Sequence, residues 1–346
     1  MTTPLEQTPA PHTPPLVSVP VVMRRVLYAL VPAAICYTWF FGYGLLVNFV
    51  LAAFAALLTE AAVLRLRGRD ARQALSDCSA LVTAALLAFA LPPLVPGWIP
   101  LLGSTIAILL AKQLYGGLGR NLFNPAMVGY AVLLISFPVE MTRWVPPQMG
   151  DIDYRGLTLL EQLDYELLGS LPAALDIDAL TRATPLDVVK EGVRGGRSFV
   201  EIRGSALFGD FGGRGWEWVA NLLLAGGLYL LYAGVIRWHI PVAMLTGLLV
   251  PATLLSLVDP ATYPSPAFHL FSGASMLGAF FIATDPVSAA ATVRGRFVYG
   301  AGIGLLTYVL RTWGSYPDGL AFAVLLMNAA VPLIDRLTRP RIYGQR

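Results

Sequence analysis

The chain has 346 residues, of which 56% are hydrophobic and 13% are charged, and its formal net charge at pH 7 is +3. Soluble domains contain about a quarter charged residues, so this composition excludes an ordinary soluble domain and predicts an all-α protein that crosses a membrane several times. Because the net charge is small, nucleic acid is not expected as a partner. Membrane lipid is expected around most of the chain.

The N-terminal segment, residues 1–23, is predicted to be a disordered cytoplasmic tail. Its first twenty residues are rich in proline and threonine and carry one charged side chain, that of Glu6. They lack the basic start, the apolar core and the cleavage site of a signal peptide. Such a segment cannot bury enough apolar surface to fold by itself.

Apolar segments dominate the rest of the chain, and each approaches the length of about 20 residues that a membrane-spanning helix needs. Five precede a long polar loop and five follow it. They define a first membrane half over 24–140, a loop domain over 141–215, a second membrane half over 216–336 and a cytoplasmic tail over 337–346. The ten predicted spans are 25–41, 44–64, 78–95, 98–115, 124–140, 216–236, 240–258, 267–284, 297–314 and 319–335.

The distribution of basic residues predicts the orientation of these spans. Fifteen Lys and Arg residues lie at the ends and in the short loops of one side, and only Arg311 lies in a short connection on the other side. Short cytoplasmic loops are enriched in Lys and Arg, whereas long loops cross the membrane regardless of charge. Both termini are therefore predicted to be cytoplasmic, and loop 141–215 is predicted to lie on the outer side of the membrane.

The polar loop is expected to fold as a small extracytoplasmic domain. It holds eleven acidic and eight basic residues, an amphipathic stretch over 157–168 and a second helical pattern after Thr184. Since each membrane half has an odd number of spans, the second half is predicted to be inverted relative to the first.

Prolines interrupt the spans at positions that agree with a 5+5 inverted repeat. Asn124-Pro125 and Thr284-Asp285-Pro286 lie on the predicted inner side, and Pro92-Pro93 and Tyr316-Pro317-Asp318 on the outer side. Interrupted segments at matched positions indicate a binding site near the membrane midplane. Ordinary helix ends with turn-forming residues remain the alternative.

The turn before the fifth span is basic and rich in glycine, and it contains Asn121 and Asn124. Unpaired backbone groups are costly beside lipid, so this turn is expected to line a site. If the helix reaches back to Asn121, the two amides share one face and can bond the polar edge of a flat ring. No Gly-Lys-Ser/Thr follows Gly116-Gly117-Leu118-Gly119, which excludes a phosphate loop.

The second notable motif is Thr184-Pro185-Leu186-Asp187 in the loop domain. It predicts a helix N-terminus, with Thr184 as the cap, proline at the first helical position and Asp187 closing a capping box. Capping explains the motif completely. A threonine at a helix N-terminus could also carry a phosphate ester, with Arg182, Lys190 and Arg194 nearby.

Several single residues receive structural interpretations. Glu60 is predicted either to pair with Arg65 or Arg67 or to act as a proton or sodium relay. His239 and His269 have no second ligand at metal spacing, so packing is expected. The predicted interfacial belt consists of Trp39, Trp98, Trp144, Trp216, Trp218 and Trp313.

Three motifs together resemble the D subunits of Rnf electron-transport complexes. They are Asn121-Leu122-Phe123-Asn124-Pro125-Ala126, Thr181-Arg182-Ala183-Thr184-Pro185-Leu186 and Ala283-Thr284-Asp285-Pro286-Val287-Ser288. The resemblance extends from about Arg24 to Arg341. This family is similar to the B subunits of sodium-translocating NADH:quinone oxidoreductases.

The resemblance implies FMN bound covalently through its phosphate to Thr184, in a motif where Arg182 replaces a common glycine. It also implies noncovalent riboflavin at Asn121 and Asn124. The opposing interruption at Thr284-Asp285-Pro286, with Asp285 as a binding residue, is predicted to close that pocket from the second half. The implied activity is ferredoxin/NAD oxidoreduction coupled to Na⁺ or H⁺ translocation. The implied partners are the other membrane and peripheral subunits, including a second flavin subunit and iron–sulfur subunits.

Two other functions remain open at the level of sequence. One is the equivalent subunit of the quinone-reducing pump, which shares the fold and the flavin chemistry. The other is a flavin-free channel or transporter, which the inverted halves and interrupted spans would also suit.

Overall fold

The computed structural model of the chain describes residues 18–149, 156–172 and 175–339. Within these ranges the protein is helical, and the β-structure described is one isolated bridge between Phe208 and Gly213. The predicted all-α fold is confirmed, and the chain is a polytopic membrane protein. The N-terminal tail predicted over 1–23 lies outside the described residues up to position 17, and a helix already begins at Val19.

Helices of the first membrane half cover most of the predicted spans. The fourth span begins as an α-helix and continues as a π-helix over Ala107–Gln113. The helices are α1 (Val19–Phe41), α2 (Gly44–Leu66), α3 (Ala71–Leu75), α4 (Ser79–Ala90), α5 (Trp98–Ile106) and α6 (Pro125–Ser136).

The loop domain and the second membrane half are also helical. In the second half the third segment is broken, with a π-helix over Gly278–Ile282. The loop-domain helices are α7 (Leu159–Leu168), α8 (Ile177–Leu180), α9 (Pro185–Arg194) and α10 (Phe199–Arg203). The remaining helices are α11 (Trp216–Tyr232), α12 (His239–Val258), α13 (Pro266–Phe271), α14 (Ser275–Leu277), α15 (Val293–Trp313) and α16 (Leu320–Leu337).

Every predicted span falls on helical structure, but the helices differ in length. Four helices in the described residues, α1, α2, α12 and α16, are long and apolar enough to cross a membrane unaided. The α4, α5 and α6 segments are apolar but shorter. The number of ten spans therefore stays a prediction, because the short and broken segments cross only if non-helical backbone completes them.

The two halves repeat one pattern of helix packing. In the first half α2 packs against α5, and α5 against α6; in the second half α12 packs against α15, and α15 against α16. The halves meet through equivalent helices, α1 against α11 and α6 against α16. This pattern agrees with the predicted repeat, since equivalent helices meet each other at a pseudo-twofold axis.

Glycines allow the closest helix contacts. On α15, Gly300 and Gly304 are four residues apart and face the backbone of α12 at Ile240 and Met244. Small residues at this spacing bring two membrane helices together and replace a hydrophobic driving force with close packing.

A buried ion pair joins α2 to the π-helix that ends the fourth segment of the first half. Lys112 Nζ lies 2.6 Å from Glu60 Oε1 and donates a hydrogen bond to Ser79 Oγ at 2.7 Å. Gln113 Nε2 donates to the same Glu60 oxygen at 2.9 Å. Glu60 therefore forms an ion pair, as one of the two predictions stated, but its partner is Lys112 and not Arg65 or Arg67. Arg65 lies in the exposed last turn of α2, whereas Lys112 approaches from another helix.

Two glycines on α15 provide a matched test of this packing. A methyl group at Gly304 would overlap the Met244 carbonyl oxygen, which is fixed in α12, whereas at Gly302 it would meet the flexible end of Met327 at 2.5 Å. We expect Gly304→Ala to lower the free energy of unfolding by about 1–3 kcal/mol, the usual cost of overpacking. Gly302→Ala should have a much smaller effect. Thermal unfolding of both variants in detergent checks this, and equal shifts would contradict it.

Candidate functional site

A cavity of about 180 Å³ lies between the two membrane halves and opens toward the loop domain. It is lined by helices α1, α4 and α6 of the first half, by α11 and the α14 and α16 regions of the second half, and by the start of α9. Most of its wall is apolar. Its aromatic lining consists of Tyr37, Phe89, Tyr130, Trp144, Trp216 and Tyr316.

The aromatic rings on one side of the cavity pack against each other around Trp216. The Trp216 ring centroid lies 4.2 Å from that of Phe41, 5.4 Å from that of Trp144 and 5.5 Å from that of Tyr37. Trp144 and Trp216 were expected in the interfacial belt, and that prediction is wrong for these two. They sit at span ends, as the sequence showed, but their rings turn inward to the cavity.

Thr184 lies at the mouth of this cavity, at the N-terminus of α9. Its Oγ1 accepts a hydrogen bond from the Asp187 backbone N–H at 3.3 Å, and the Asp187 carboxylate accepts one from the Thr184 N–H at 3.0 Å. The predicted capping box is therefore confirmed. The Thr184 hydroxyl also donates to Asp187 Oδ2 at 2.5 Å, so the half-buried hydroxyl is already polarised by a carboxylate.

Three cations were expected near Thr184, and each one binds backbone carbonyl groups. Lys190 Nζ donates to the carbonyls of Leu310 at 3.3 Å and Tyr316 at 2.6 Å. Arg194 Nη2 donates to Gly314 at 2.9 Å, and the exposed Arg182 donates to the carbonyl of Thr181 at 3.1 Å. Lys190 and Arg194 thus attach α9 to the connection between α15 and α16.

A second ion pair, between Arg311 and Asp318, borders the cavity through Asp318. Asp318 accepts hydrogen bonds from Arg311 Nε and Nη2, both at 3.2 Å, and from the Ala274 N–H at 2.8 Å. Arg311 Nη1 in turn donates to the His269 carbonyl at 2.8 Å. These bonds hold the broken third segment of the second half in place. The adjacent Ser272 Oγ is buried at the cavity wall without a protein partner.

His269 and His239 are engaged in packing, as expected. The His269 ring lies 5.0 Å from that of Tyr308, and His239 stacks on Trp238 at 4.4 Å. Among the described residues, no group of three or more His, Cys, Asp or Glu side chains is placed to hold a metal ion.

The inner predicted residues lie beyond the other end of the cavity. Asn124 caps α6, because its Oδ1 accepts from the Met127 N–H at 3.2 Å, and its Nδ2 donates to the Ile282 carbonyl at 3.3 Å. Ile282 itself lines the cavity. The Asn124 backbone N–H donates to Asn328 Oδ1 at 3.0 Å. Asn124 therefore joins the two halves where their interrupted segments meet.

Asp285 belongs to the same network through Asn328. The Asn328 amide donates to the Ser288 carbonyl at 3.1 Å and to the Tyr299 hydroxyl oxygen at 2.7 Å. Ser288 Oγ donates to Asp285 Oδ2 at 2.8 Å. Sequence analysis missed Asn328, because one buried Asn in the middle of an apolar span carries no local motif.

Asn121 is not on the helical face with Asn124. Helix α6 begins at Pro125, so the helical turn does not reach back to Asn121. The Asn121 Nδ2 instead donates to the Phe123 carbonyl at 3.1 Å, and its buried Oδ1 has no protein partner. The structure thus brings Asn124 and Asp285 together, places Asn121 in the adjacent turn and places Thr184 at the far end of the cavity.

A family model described as the NQR2, RnfD, RnfE family matches residues 6–344 of the chain. The chain belongs to this family. The resemblance inferred from the three motifs is therefore confirmed.

Similar members of the NQR2, RnfD, RnfE family share one name, that of the D subunit of an ion-translocating oxidoreductase complex. The protein of Aeromonas hydrophila is 52% identical over 330 residues, which cover 94% of each chain. The Escherichia coli protein is 50% identical over 333 residues, with the same coverage. The Aliivibrio salmonicida protein is 48% identical over 344 residues, which cover 98% of each chain.

Like α9, helix α7 is fixed to a connection between two helices of a membrane half. Gln162 Nε2 donates to the Pro93 carbonyl at 2.9 Å and to Glu166 Oε1 at 2.6 Å. Burial raises the pKa of Glu166 to about 8, and the Gln162 hydrogen bond opposes that shift. On α9, burial lowers the pKa of Lys190 to about 8; Arg194 adds to this shift, while Asp187 and Asp318 oppose it.

The Glu166 shift predicts how stability depends on pH. Because the folded protein binds this proton more tightly than the unfolded chain, the free energy of unfolding should fall as the pH rises from about 4.5 to about 8. Glu166→Gln should reduce that fall, and Glu191→Gln, at an exposed position of α9, should not. Thermal unfolding across this pH range measures both. An unchanged slope in Glu166→Gln would exclude Glu166 as its source.

Proposed function

We propose that this protein is the D subunit of an Rnf-type ion-translocating oxidoreductase complex and carries electrons through FMN bound covalently at Thr184. In the complex it couples ferredoxin/NAD redox chemistry to Na⁺ or H⁺ translocation. The names of the similar family members support this assignment over the quinone-reducing pump. The observation that carries the flavin assignment is the position of Thr184 at the mouth of an aromatic cavity.

The residues around the cavity suit a flat ring system tethered at Thr184. Aromatic rings such as Tyr130, Trp144 and Tyr316 offer the apolar faces that bind an isoalloxazine by stacking and burial. Polar groups converge near the mouth, where the buried Ser272 Oγ lacks a protein partner and the Tyr130, Asp187 and Asp318 side chains line the same cavity. A flavin at this position supplies a carrier that accepts and releases electrons one at a time.

The head of α9 provides the attachment point for the phosphate. The Thr184 Oγ1–phosphorus bond would form as a phosphorus–oxygen bond of an activated flavin nucleotide breaks, and the leaving group would depart with that oxygen. Asp187, which accepts the hydroxyl hydrogen, would take up the proton. The positive dipole of the helix N-terminus would stabilise the phosphate. Lys190 and Arg194 keep α9 on the second membrane half while this happens.

The proposed orientation has both termini in the cytoplasm and the loop domain in the periplasm, in the inner membrane of a bacterium. It is supported by the fifteen-to-one distribution of basic residues over the short connections. Two cysteines are too few for an iron–sulfur cluster. We therefore assign ferredoxin and NAD chemistry to iron–sulfur and flavin subunits that assemble with this chain.

Covalent attachment predicts the behaviour of a Thr184→Val variant. Valine keeps the shape of threonine but removes the ester oxygen, so the denatured polypeptide should lose its flavin fluorescence on a gel under ultraviolet light. Loss of the helix cap should cost only about 1 kcal/mol, so membrane insertion should persist. Thr181→Val is the matched control, because the Thr181 hydroxyl donates to the Ile177 carbonyl and takes no part in the capping box of α9. A fluorescent Thr184→Val band would place the flavin on another residue.

At the other end of the cavity we propose a noncovalent riboflavin site that involves Asn121, Asn124 and Asp285. The unpartnered Asn121 Oδ1 supports it, since a buried acceptor without a donor favours a ligand. Asn124→Leu should lower extractable flavin per complex, while the Thr184-linked FMN remains. If Asn124 acts only as a cap and a bridge to Ile282, flavin content stays unchanged and only the unfolding temperature falls. Flavin extraction before and after the substitution separates the two roles.

A further inference from the structure

Helix α7 of the loop domain turns its polar residues toward the protein. Gln162, Tyr165 and Glu166 are only 3%, 6% and 5% exposed. Gln162 and Tyr165 donate hydrogen bonds to backbone carbonyl groups in the connection between α4 and α5. The Tyr165 hydroxyl donates to the Leu94 carbonyl at 3.3 Å. The Glu166 carbonyl accepts a hydrogen bond from the Gly97 N–H at 2.8 Å. A helix on a water-exposed surface does the reverse and buries its apolar face.

The outward side of α7 is formed by leucines. Leu159, Leu160 and Leu167 are 44%, 73% and 60% exposed, and Leu163 is half-buried. At about 100° per residue, these four side chains lie within one sector of about 100°. This is the width of the apolar stripe that a surface helix normally turns toward a core.

The third sector of the helix holds two acidic residues, Asp164 and Glu161, together with Leu168 of the last turn, which is 76% exposed. Asp164 is exposed and Glu161 is half-buried, and they lie beyond the leucines on the side away from Gln162 and Glu166. The helix thus has one side for the protein, one apolar side and one charged side. An interfacial helix that lies parallel to a bilayer beside a membrane domain needs this arrangement.

The depth of α7 agrees with such a position. A methyl group at Gly97 would lie 2.6 Å from the Glu166 carbonyl oxygen and 3.1 Å from Leu51 Cδ1, so these residues are at one level. Leu51 lies seven residues inside the start of α2 at Gly44, which corresponds to about 10 Å along the helix. Leu157, just before α7, lines an apolar groove between α1, α2 and α4.

We propose that α7 is an interfacial membrane anchor, with its leucine sector in the acyl chains of the leaflet on the loop-domain side and its acidic sector in water. The partner is phospholipid, recognised through its acyl chains. Helix α7 carries three acidic residues and no basic residue, so attraction to anionic headgroups has no part in this binding. The anchor sets the level at which the loop domain, and with it Thr184, meets the membrane halves.

Site-directed spin labelling of the assembled complex in phosphatidylcholine nanodiscs tests this. In a background with Cys36→Ala and Cys78→Ala, nitroxides are attached at Leu160→Cys, Leu167→Cys and, as the water-facing control on the same helix, Asp164→Cys. Labels at 160 and 167 should be more accessible to oxygen than to an aqueous nickel chelate, and the label at 164 should show the opposite order. Unaltered elution of the complex on size exclusion verifies folding.

Two outcomes would overturn the proposal. Nickel access at 160 and 167 equal to that at 164 would place the leucine sector in water. Protection of 160 and 167 from both oxygen and nickel would show that another protein of the complex covers α7.

Discussion

The whole structure depends on satisfying backbone hydrogen bonds where membrane helices are interrupted. In a bilayer no water can pair with free N–H and C=O groups, so each interruption requires a dedicated protein partner. Asn48 Nδ2 donates to the Pro92 carbonyl at 3.0 Å, Asn328 accepts from the Asn124 N–H, and Asp318 accepts from the Ala274 N–H. Each partner comes from a different helix or connection. The interruptions therefore organise the packing of both halves as well as the cavity between them.

The loop domain belongs to this arrangement and is not a separate module. Its helix α7 donates a hydrogen bond to a backbone carbonyl between α4 and α5, and its helix α9 donates one to a backbone carbonyl between α15 and α16. Both attachments place a titratable group, Glu166 or Lys190, in a poorly hydrated position whose pKa burial moves toward 8. Because Thr184 caps the N-terminus of α9, the same contacts that complete the membrane halves position the proposed flavin attachment point at the cavity.

Local signals in the sequence predicted the helices, the interruptions and the capping box at Thr184, because each depends on residues within a few positions. The partners of buried side chains could not be predicted in this way. Glu60 pairs with Lys112, which is 52 positions away, although Arg65 and Arg67 are closer in sequence. Trp144 and Trp216 follow the pattern of an interfacial belt but pack inward, because tertiary contacts decide which way a ring at a span end turns. The prediction that Asn121 shares a helical face with Asn124 was wrong for a local reason. Pro125 occupies the first helical position and fixes where α6 begins, so the helix does not include Asn121.

The hydrogen bond from Gln162 to the Pro93 carbonyl has a consequence for biosynthesis, because the two residues are 69 positions apart. Helices α4 and α5 leave the ribosome well before α7 does, so their connecting carbonyls at Pro93 and Leu94 have no protein partner at first. The connection between α4 and α5 gains these hydrogen bonds only after α7 has been synthesised and has docked. Docking of the loop domain is therefore a step in the folding of the membrane half that precedes it in the chain.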